Sequence, residues 1–248
     1  MNRILFLSLI CVLFLTNCRT VDILYTAPMS NDIKEDQEGH YSYENDTIKV
    51  TYTFWGQNGV MSMLIENKLD VPIYLDWKKS FYVSGKTKMN YYSENMTTKN
   101  TTASANAPFL YNSAFDWAHW YPVNLGVSVS NGTIEKEERI AVIPPHAQTG
   151  FAKYKLTPSI NSINFKDAEK KEVLVERTTR KIKARIVTAE KGNSSIFFSN
   201  FLTYSTKESF EHESYANNGF YVRKIMNIRP IWYDSFIDAK RFYIYNVE

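Results

Sequence analysis

Five side chains between positions 116 and 121 form the strongest candidate for a ligand-binding surface. They are Asp116, Trp117, His119, Trp120 and Tyr121. Large aromatic rings can stack on sugar rings, and a carboxylate and an imidazole beside them can hydrogen-bond to sugar hydroxyls. The cluster therefore predicts a glycan-binding platform. Two alternatives stay open: the rings close one end of a β-sandwich, or they form an apolar interface to a protein partner.

Other chemical signatures have little support in the sequence. The histidines are His40, His119, His146 and His212. They show neither HxH nor HExxH spacing, and no serine stands in a GxSxG motif. Asp76-Trp77 and Asp116-Trp117 each place a carboxylate beside an aromatic ring, but glycosidase carboxylates are recognised by their separation in space. We therefore expect a non-enzymatic protein without a cofactor or a metal site.

The N-terminal residues carry the clearest targeting signal. Arg3 gives a positive start, and residues 4–15 form an apolar run. This run is shorter than the roughly 20 residues of a transmembrane helix and has the length of a signal-peptide core. It leads into Leu15-Thr16-Asn17-Cys18, which resembles the lipobox of bacterial lipoproteins. An ordinary secretory signal is the alternative, which the absence of a small-x-small cleavage site disfavours.

The lipobox resemblance implies cleavage before Cys18 and a lipid on its sulfur. Cys11 lies inside the signal peptide, so the mature domain would contain no disulfide. Acyl chains contribute about 0.8 kcal/mol per buried methylene, which predicts firm membrane anchoring without a transmembrane helix. Arg19 stands where some lipoproteins carry an Asp that retains them at the inner membrane. The resemblance thus implies the bacterial outer membrane, with either leaflet open.

The composition is that of a globular chain and excludes several classes. The 17 Tyr, 15 Phe and 5 Trp among 248 residues supply more apolar surface than a disordered protein has. A formal net charge of +3 is too small to indicate nucleic-acid binding. The local basic excess consists of Arg177, Arg180, Lys181, Lys183 and Arg185. It predicts either contact with anionic lipid or acidic glycan at a membrane surface, or an ordinary solvated strand face.

Alternating polar and apolar residues predict an all-β fold. Residues 47–54 predict a half-buried strand, and the turn signal at 57–59 predicts a hairpin with a second strand at 60–66. Further strands are predicted at 71–77, 81–83, 89–92, 139–143, 149–156, 182–188, 195–204, 219–228 and 242–247. Such short, frequent strands indicate an Ig-like or related antiparallel β-sandwich. Asp234 is predicted to be the N-cap of a short C-terminal helix.

Three regions follow from these patterns. Residues 1–17 are predicted to be a lipoprotein signal peptide, and residues 18–40 a lipidated Cys with a flexible tether, because this segment turns polar and acidic. Residues 41–248 are predicted to form one β-sandwich domain. Two smaller sandwiches, divided near 93–107 or 157–170, are the alternative.

Two further resemblances concern the source and the modification of the chain. Residues 67–77 (NKLDVPIYLDW), the lipobox and the Asn-rich and Tyr-rich composition look like envelope lipoproteins of Bacteroidetes-type bacteria. Asp46-Thr47-Ile48 resembles the O-glycosylation pattern of these bacteria, which makes Thr47 a candidate modification site. The resemblance assigns no catalytic residue. It implies an envelope lipoprotein with an Ig-like or related sandwich. We expect a lipid-anchored module that binds another envelope protein or has a structural role; the alternative is a surface glycan-binding lipoprotein.

Overall fold

A computed structural model describes residues 20–36, 39–56, 58–93, 106–107, 123–124, 138–156, 165, 168–175, 178–236 and 240–246. Within these ranges the chain forms two antiparallel β-sheets that pack together, which confirms the predicted all-β sandwich. No helix in the described ranges has the length and apolar character needed to cross a membrane.

The strands are numbered in chain order. The smaller sheet contains β2 (Ile33–Glu35), β3 (Tyr41–Glu44), β4 (Ile48–Trp55), β5 (Val60–Asn67) and β12 (Gln148–Lys155). The larger sheet contains β1 (Thr20–Pro28), β6 (Ile73–Asp76), β7 (Phe81–Ser84), β8 (Thr87–Asn90), β11 (Ile140–Ile143), β13 (Glu169–Leu174), β14 (Lys181–Thr188), β15 (Phe197–Ser205), β16 (Ser214–Ile228) and β17 (Arg241–Asn246). A separate ribbon pairs β9 (Asn106–Ala107) with β10 (Val123–Asn124). Each strand predicted from the sequence has a counterpart here.

The hairpin β4–β5 forms as its sequence predicts. The alternate residues Ile48, Val50, Tyr52 and Phe54 are fully buried between the sheets. In the turn, Gly59 has a φ of 66°, and a Cβ at this position would lie 2.8 Å from the Phe242 ring. Glycine therefore suits both the backbone and the packing at this turn.

The long strand β16 organises the larger sheet. One edge of β16 pairs with β1 over Phe220–Ile228, and the other edge pairs first with β15 and then with β14. β14 therefore continues along the edge where β15 ends. β13 pairs with β14 and extends the sheet outward as a two-stranded wing.

The flexible tether predicted for residues 18–40 is corrected by the structure. β1 lies between β16 and β17, and β2 belongs to the smaller sheet. Leu24 packs between the two sheets, whereas Val21 and Ile23 pack in a second core on the opposite face of the larger sheet. Because both faces of β1 are buried, its sequence lacks the polar and apolar alternation that marks a strand with one wet face.

The second core lies beneath a short helical segment near the C-terminus. Trp232 and Phe236 cover it from a 3-10 helix, Pro230–Phe236. The prediction of Asp234 as a helix N-cap is wrong, because the 3-10 helix begins before Asp234 and ends at Phe236, and Arg241 already belongs to β17. Pro230 suits this first position, because its fixed φ is compatible with a helical start and its missing N–H is not needed there.

Candidate functional site

The residues first proposed as functional fall largely outside the described part of the chain. These residues are Cys18, Asp116, Trp117, His119, Trp120 and Tyr121. Lipidation of Cys18 and glycan binding by the aromatic cluster therefore stay predictions.

Thr47 lies in the tight turn between β3 and β4 and is half-buried. The Oδ1 atom of Asn45 accepts hydrogen bonds from the backbone N–H groups of Thr47 and Ile48, both at 2.9 Å. The backbone oxygen of Thr47 accepts a further bond from the N–H of Lys68. The turn is thus well defined, and modification of Thr47 stays a prediction.

The described histidines lie in separate places, with His40 buried and His146 and His212 near the surface. His40 Nδ1 lies 3.1 Å from Asp36 Oδ2, and His146 Nε2 lies 2.8 Å from Asp70 Oδ1. His212 is exposed in the loop before β16. Among the described residues, no group of three or more His, Cys, Asp or Glu side chains is arranged to hold a metal ion.

Asp76, which precedes Trp77 in the chain, secures a turn. Its side chain is fully buried at the end of β6, where Arg139 donates a 2.8 Å hydrogen bond to Oδ2. The backbone N–H groups of Lys78 and Lys79 donate to Oδ1. Burial alone raises the pKa of Asp76, but the Arg139 charge and these hydrogen bonds outweigh it and hold the pKa below its ordinary value. Trp77 stacks on Phe151 in the core, so both residues of the Asp76-Trp77 dipeptide have structural roles.

Asp76→Asn should lower the free energy of unfolding at neutral pH by about 1 to 3 kcal/mol, because the charge facing Arg139 is lost. The depressed pKa means that ionised Asp76 stabilises the fold above about pH 4 and that this contribution disappears as the pH falls through the folded-state value. The difference between the two proteins should therefore shrink in acid. Urea unfolding across the pH range measures this difference in the free energy of unfolding, with the exposed Asp70→Asn as control. A difference between wild type and Asp76→Asn that stays constant below pH 4 would contradict this role.

A buried polar network connects the two sheets. Tyr91 donates a 2.6 Å hydrogen bond to Asn200 Oδ1, and Asn200 Nδ2 donates at 2.8 Å to the hydroxyl of Tyr52. That hydroxyl donates in turn to Asn218 Oδ1 at 2.7 Å. Burial raises the pKa of Tyr52, so its hydroxyl stays protonated as a donor. These groups satisfy one another and fix how the sheets pack.

A groove on the larger sheet is lined mainly by charged residues. It has a volume of about 390 Å³ and lies where the wing formed by β13 and β14 meets the ends of β16 and β1. Five cationic residues line it: Lys170, Lys171, Lys183, Arg185 and Arg229. Glu172 is the one acidic residue among the lining residues. We call this surface the basic groove.

Strand register brings the residues of the basic groove together. Lys170 in β13 lies opposite Arg185 in β14, and Arg185 lies opposite Asn227 in β16. Asn227 in turn lies opposite Asp22 in β1. Directly opposed residues project from the same face of a sheet, as do residues two positions apart along one strand. Lys183 therefore shares this face with Arg185, and Thr20 shares it with Asp22.

The contacts within the groove hold one cation in place. Arg185 donates a 3.2 Å hydrogen bond to Asn227 Oδ1, and its guanidinium lies 5.4 Å from the centre of the Phe165 ring. Asn227 Nδ2 donates to Asp22 Oδ1 at 2.6 Å and to Thr20 Oγ1 at 3.0 Å. These bonds join the floor of the groove to the first residues of β1.

Three of the other four cations keep their charge available. Lys171 forms an ion pair with Glu169 at 2.7 Å. Lys170, Lys183 and Arg229 form no ion pair with any residue that the structure describes, and all three are exposed. The groove is thus an electropositive surface with a hydrogen-bonded central guanidinium and further exposed cations around it, an arrangement suited to an anionic ligand.

The predicted basic excess supplies part of this groove. Lys183 and Arg185 line it, whereas Arg180 packs over the ring of Trp232 at 4.4 Å. Arg177 lies outside the described residues. Lys170 and Arg229 were not identified from the sequence, because only the pairing of β13, β14 and β16 brings them to Arg185.

Comparison with known proteins adds no assignment, since no protein-family model, curated protein or solved structure matches the chain.

Proposed function

We propose that this protein is a non-enzymatic lipoprotein of the bacterial outer membrane, anchored through Cys18, whose sandwich is a binding or structural module of the cell envelope. The observation that carries the proposal is the position of β1. This strand begins at Thr20, two residues after the lipobox Cys, and lies inside the larger sheet. Two residues span at most about 7 Å, so a lipid on Cys18 would tie the folded domain closely to the membrane surface.

The use of buried polar groups supports a binding or structural role. Asp76 secures a turn, and Asn200 joins the two sheets. Asn67 Nδ2 lies within hydrogen-bond distance of the backbone oxygens of Val71, Ile143 and Pro144, so its two N–H groups tie the end of β5 to the segment before β6 and to the end of β11. Each of these groups makes hydrogen bonds that define the fold. These buried polar groups hold strands and turns together through their hydrogen bonds.

The anchor is tested by metabolic labelling with radioactive palmitate in a Gram-negative host. The wild-type chain should incorporate label, and Cys18→Ser should lose it completely, because the acylated sulfur is removed. Cys11→Ser is the matched control, since Cys11 lies within the predicted signal peptide and should leave labelling unchanged. Equal labelling of wild-type and Cys18→Ser proteins, or none in either, would contradict the proposal.

A further inference from the structure

We propose that the basic groove binds the phosphate groups of anionic lipid headgroups in the leaflet that holds the anchor. This inference rests on the proposed function, because the anchor is what brings the groove to a membrane. It adds a second, electrostatic contact to the covalent one. The domain would then have a fixed orientation on the membrane instead of rotating about a single attachment point.

Charge complementarity is the first argument for this ligand. Four of the lining cations, Lys170, Lys183, Arg185 and Arg229, form no ion pair with a described residue, and Glu172 is the one acidic lining residue, although the whole chain carries a formal charge of only +3. Lys and Arg near an anionic membrane surface each strengthen binding by about fivefold. The concentration of charge in one groove is therefore enough to favour one face of the domain over the others.

The position of the groove relative to Cys18 is the second argument. Thr20 lines the groove and accepts a hydrogen bond from Asn227 on its floor. Thr20 is also the second residue after Cys18, so their Cα atoms can lie no more than about 7 Å apart. A lipid on Cys18 would therefore enter the membrane beside the groove. Among soluble and membrane-bound anions, lipid headgroups are the ones that such an anchor concentrates at this place.

The geometry of Arg185 is the third argument. Asn227 and the Phe165 ring hold its guanidinium, which reduces the entropy lost on binding. A guanidinium presents paired N–H donors that match phosphate oxygens, and the exposed Lys170 and Lys183 add mobile charge beside it. The groove volume of about 390 Å³ is in the range of small-ligand sites, which suits a headgroup.

Vesicle binding by the mature chain tests the proposal. Residues 18–248 with Cys18→Ser contain the whole described fold and lack the lipid, so any binding comes from the domain itself. Vesicles of phosphatidylcholine with about one third phosphatidylglycerol should bind this chain at about 0.1 M salt and release it at about 0.5 M. Pure phosphatidylcholine vesicles should not bind it. Equal binding to both vesicles would overturn the proposal.

A matched pair of double variants assigns the binding to the groove. Lys183→Ala with Arg185→Ala should weaken binding to the anionic vesicles by about 30-fold, because two cations are lost. Lys86→Ala with Lys191→Ala removes the same charge from exposed turns outside the groove and should change binding less than about twofold. Equal losses in the two pairs would overturn the proposal.

Two further controls keep the result interpretable. Circular dichroism checks the fold, and if the first pair unfolds, Lys170→Ala with Arg229→Ala tests the same groove from other strands. Binding of inorganic phosphate without binding of anionic vesicles would overturn a headgroup site.

Palmitate labelling separates the two proposals. A labelled protein whose domain does not bind anionic lipid overturns only the groove proposal. A domain that binds anionic lipid in a protein that takes up no label overturns only the anchor proposal.

Discussion

A chain shortened to begin at Met29 is expected to lose its cooperative folding transition. The deletion removes β1, which pairs with β16 on one side and β17 on the other. Val21, Ile23 and Leu24 on this strand are fully buried, and they contribute to both cores. Burial of each large apolar side chain stabilises by about 2 kcal/mol, so the loss approaches the whole stability of about 5 to 15 kcal/mol of a typical domain.

Thermal unfolding followed by circular dichroism measures this effect. The control is an insertion of about ten Gly and Ser residues between Arg19 and Thr20, which lengthens the connection without touching β1 and should leave the melting temperature unchanged. If residues 20–28 were a tether, the deletion and the insertion would both be tolerated. A shortened chain with the wild-type melting temperature would contradict the central position of β1.

Phe54→Ala is the point substitution with the largest expected effect on stability, a loss of about 3 to 5 kcal/mol. The Phe54 ring is fully buried where the two sheets meet. Its centre lies 4.9 Å from that of Phe220 and 5.3 Å from that of Phe198, both in the opposite sheet. Alanine would leave a cavity between these rings. The strands on both sides limit how far this cavity can close.

Urea unfolding measures the cost, and the control is Phe197→Ala. Phe197 neighbours Phe198 on β15 but is 39% exposed. Its replacement removes the same number of atoms without opening an internal cavity, so its cost should stay below about 1 kcal/mol. Similar losses from the two substitutions would mean that the space between the sheets does not depend on Phe54.

Whether a strand could be predicted from the sequence depended on how much of it is exposed to solvent. The hairpin β4–β5 was predicted because alternate residues such as Val50 and Tyr52 are buried while their neighbours are at least partly exposed. β1 was not predicted, because burial on both faces removes that alternation. β13 shows the opposite case: five of its six residues are exposed, so its pattern resembles a charged loop and only pairing with β14 defines it.

The basic groove could be predicted only in part for a related reason. Lys183 and Arg185 lie close together in the sequence and stand out as local charge. Asp22, Lys170 and Asn227 are spread along the chain, and strand register aligns them in one row with Arg185 across β1, β13, β14 and β16. Composition and motifs do not encode strand register across such distances, so the complete groove required the three-dimensional arrangement.

Mass spectrometry of the N-terminal peptide of the protein purified from membranes tests the central claim most directly. A lipoprotein anchored at Cys18 predicts a peptide that begins at Cys18 and carries a diacylglyceryl group on the sulfur, with an added acyl chain on the amine where the host supplies one. A mature chain that begins at another residue, or a peptide with an unmodified Cys18 thiol, would contradict the anchor and with it the proposed place of the sandwich at the membrane surface.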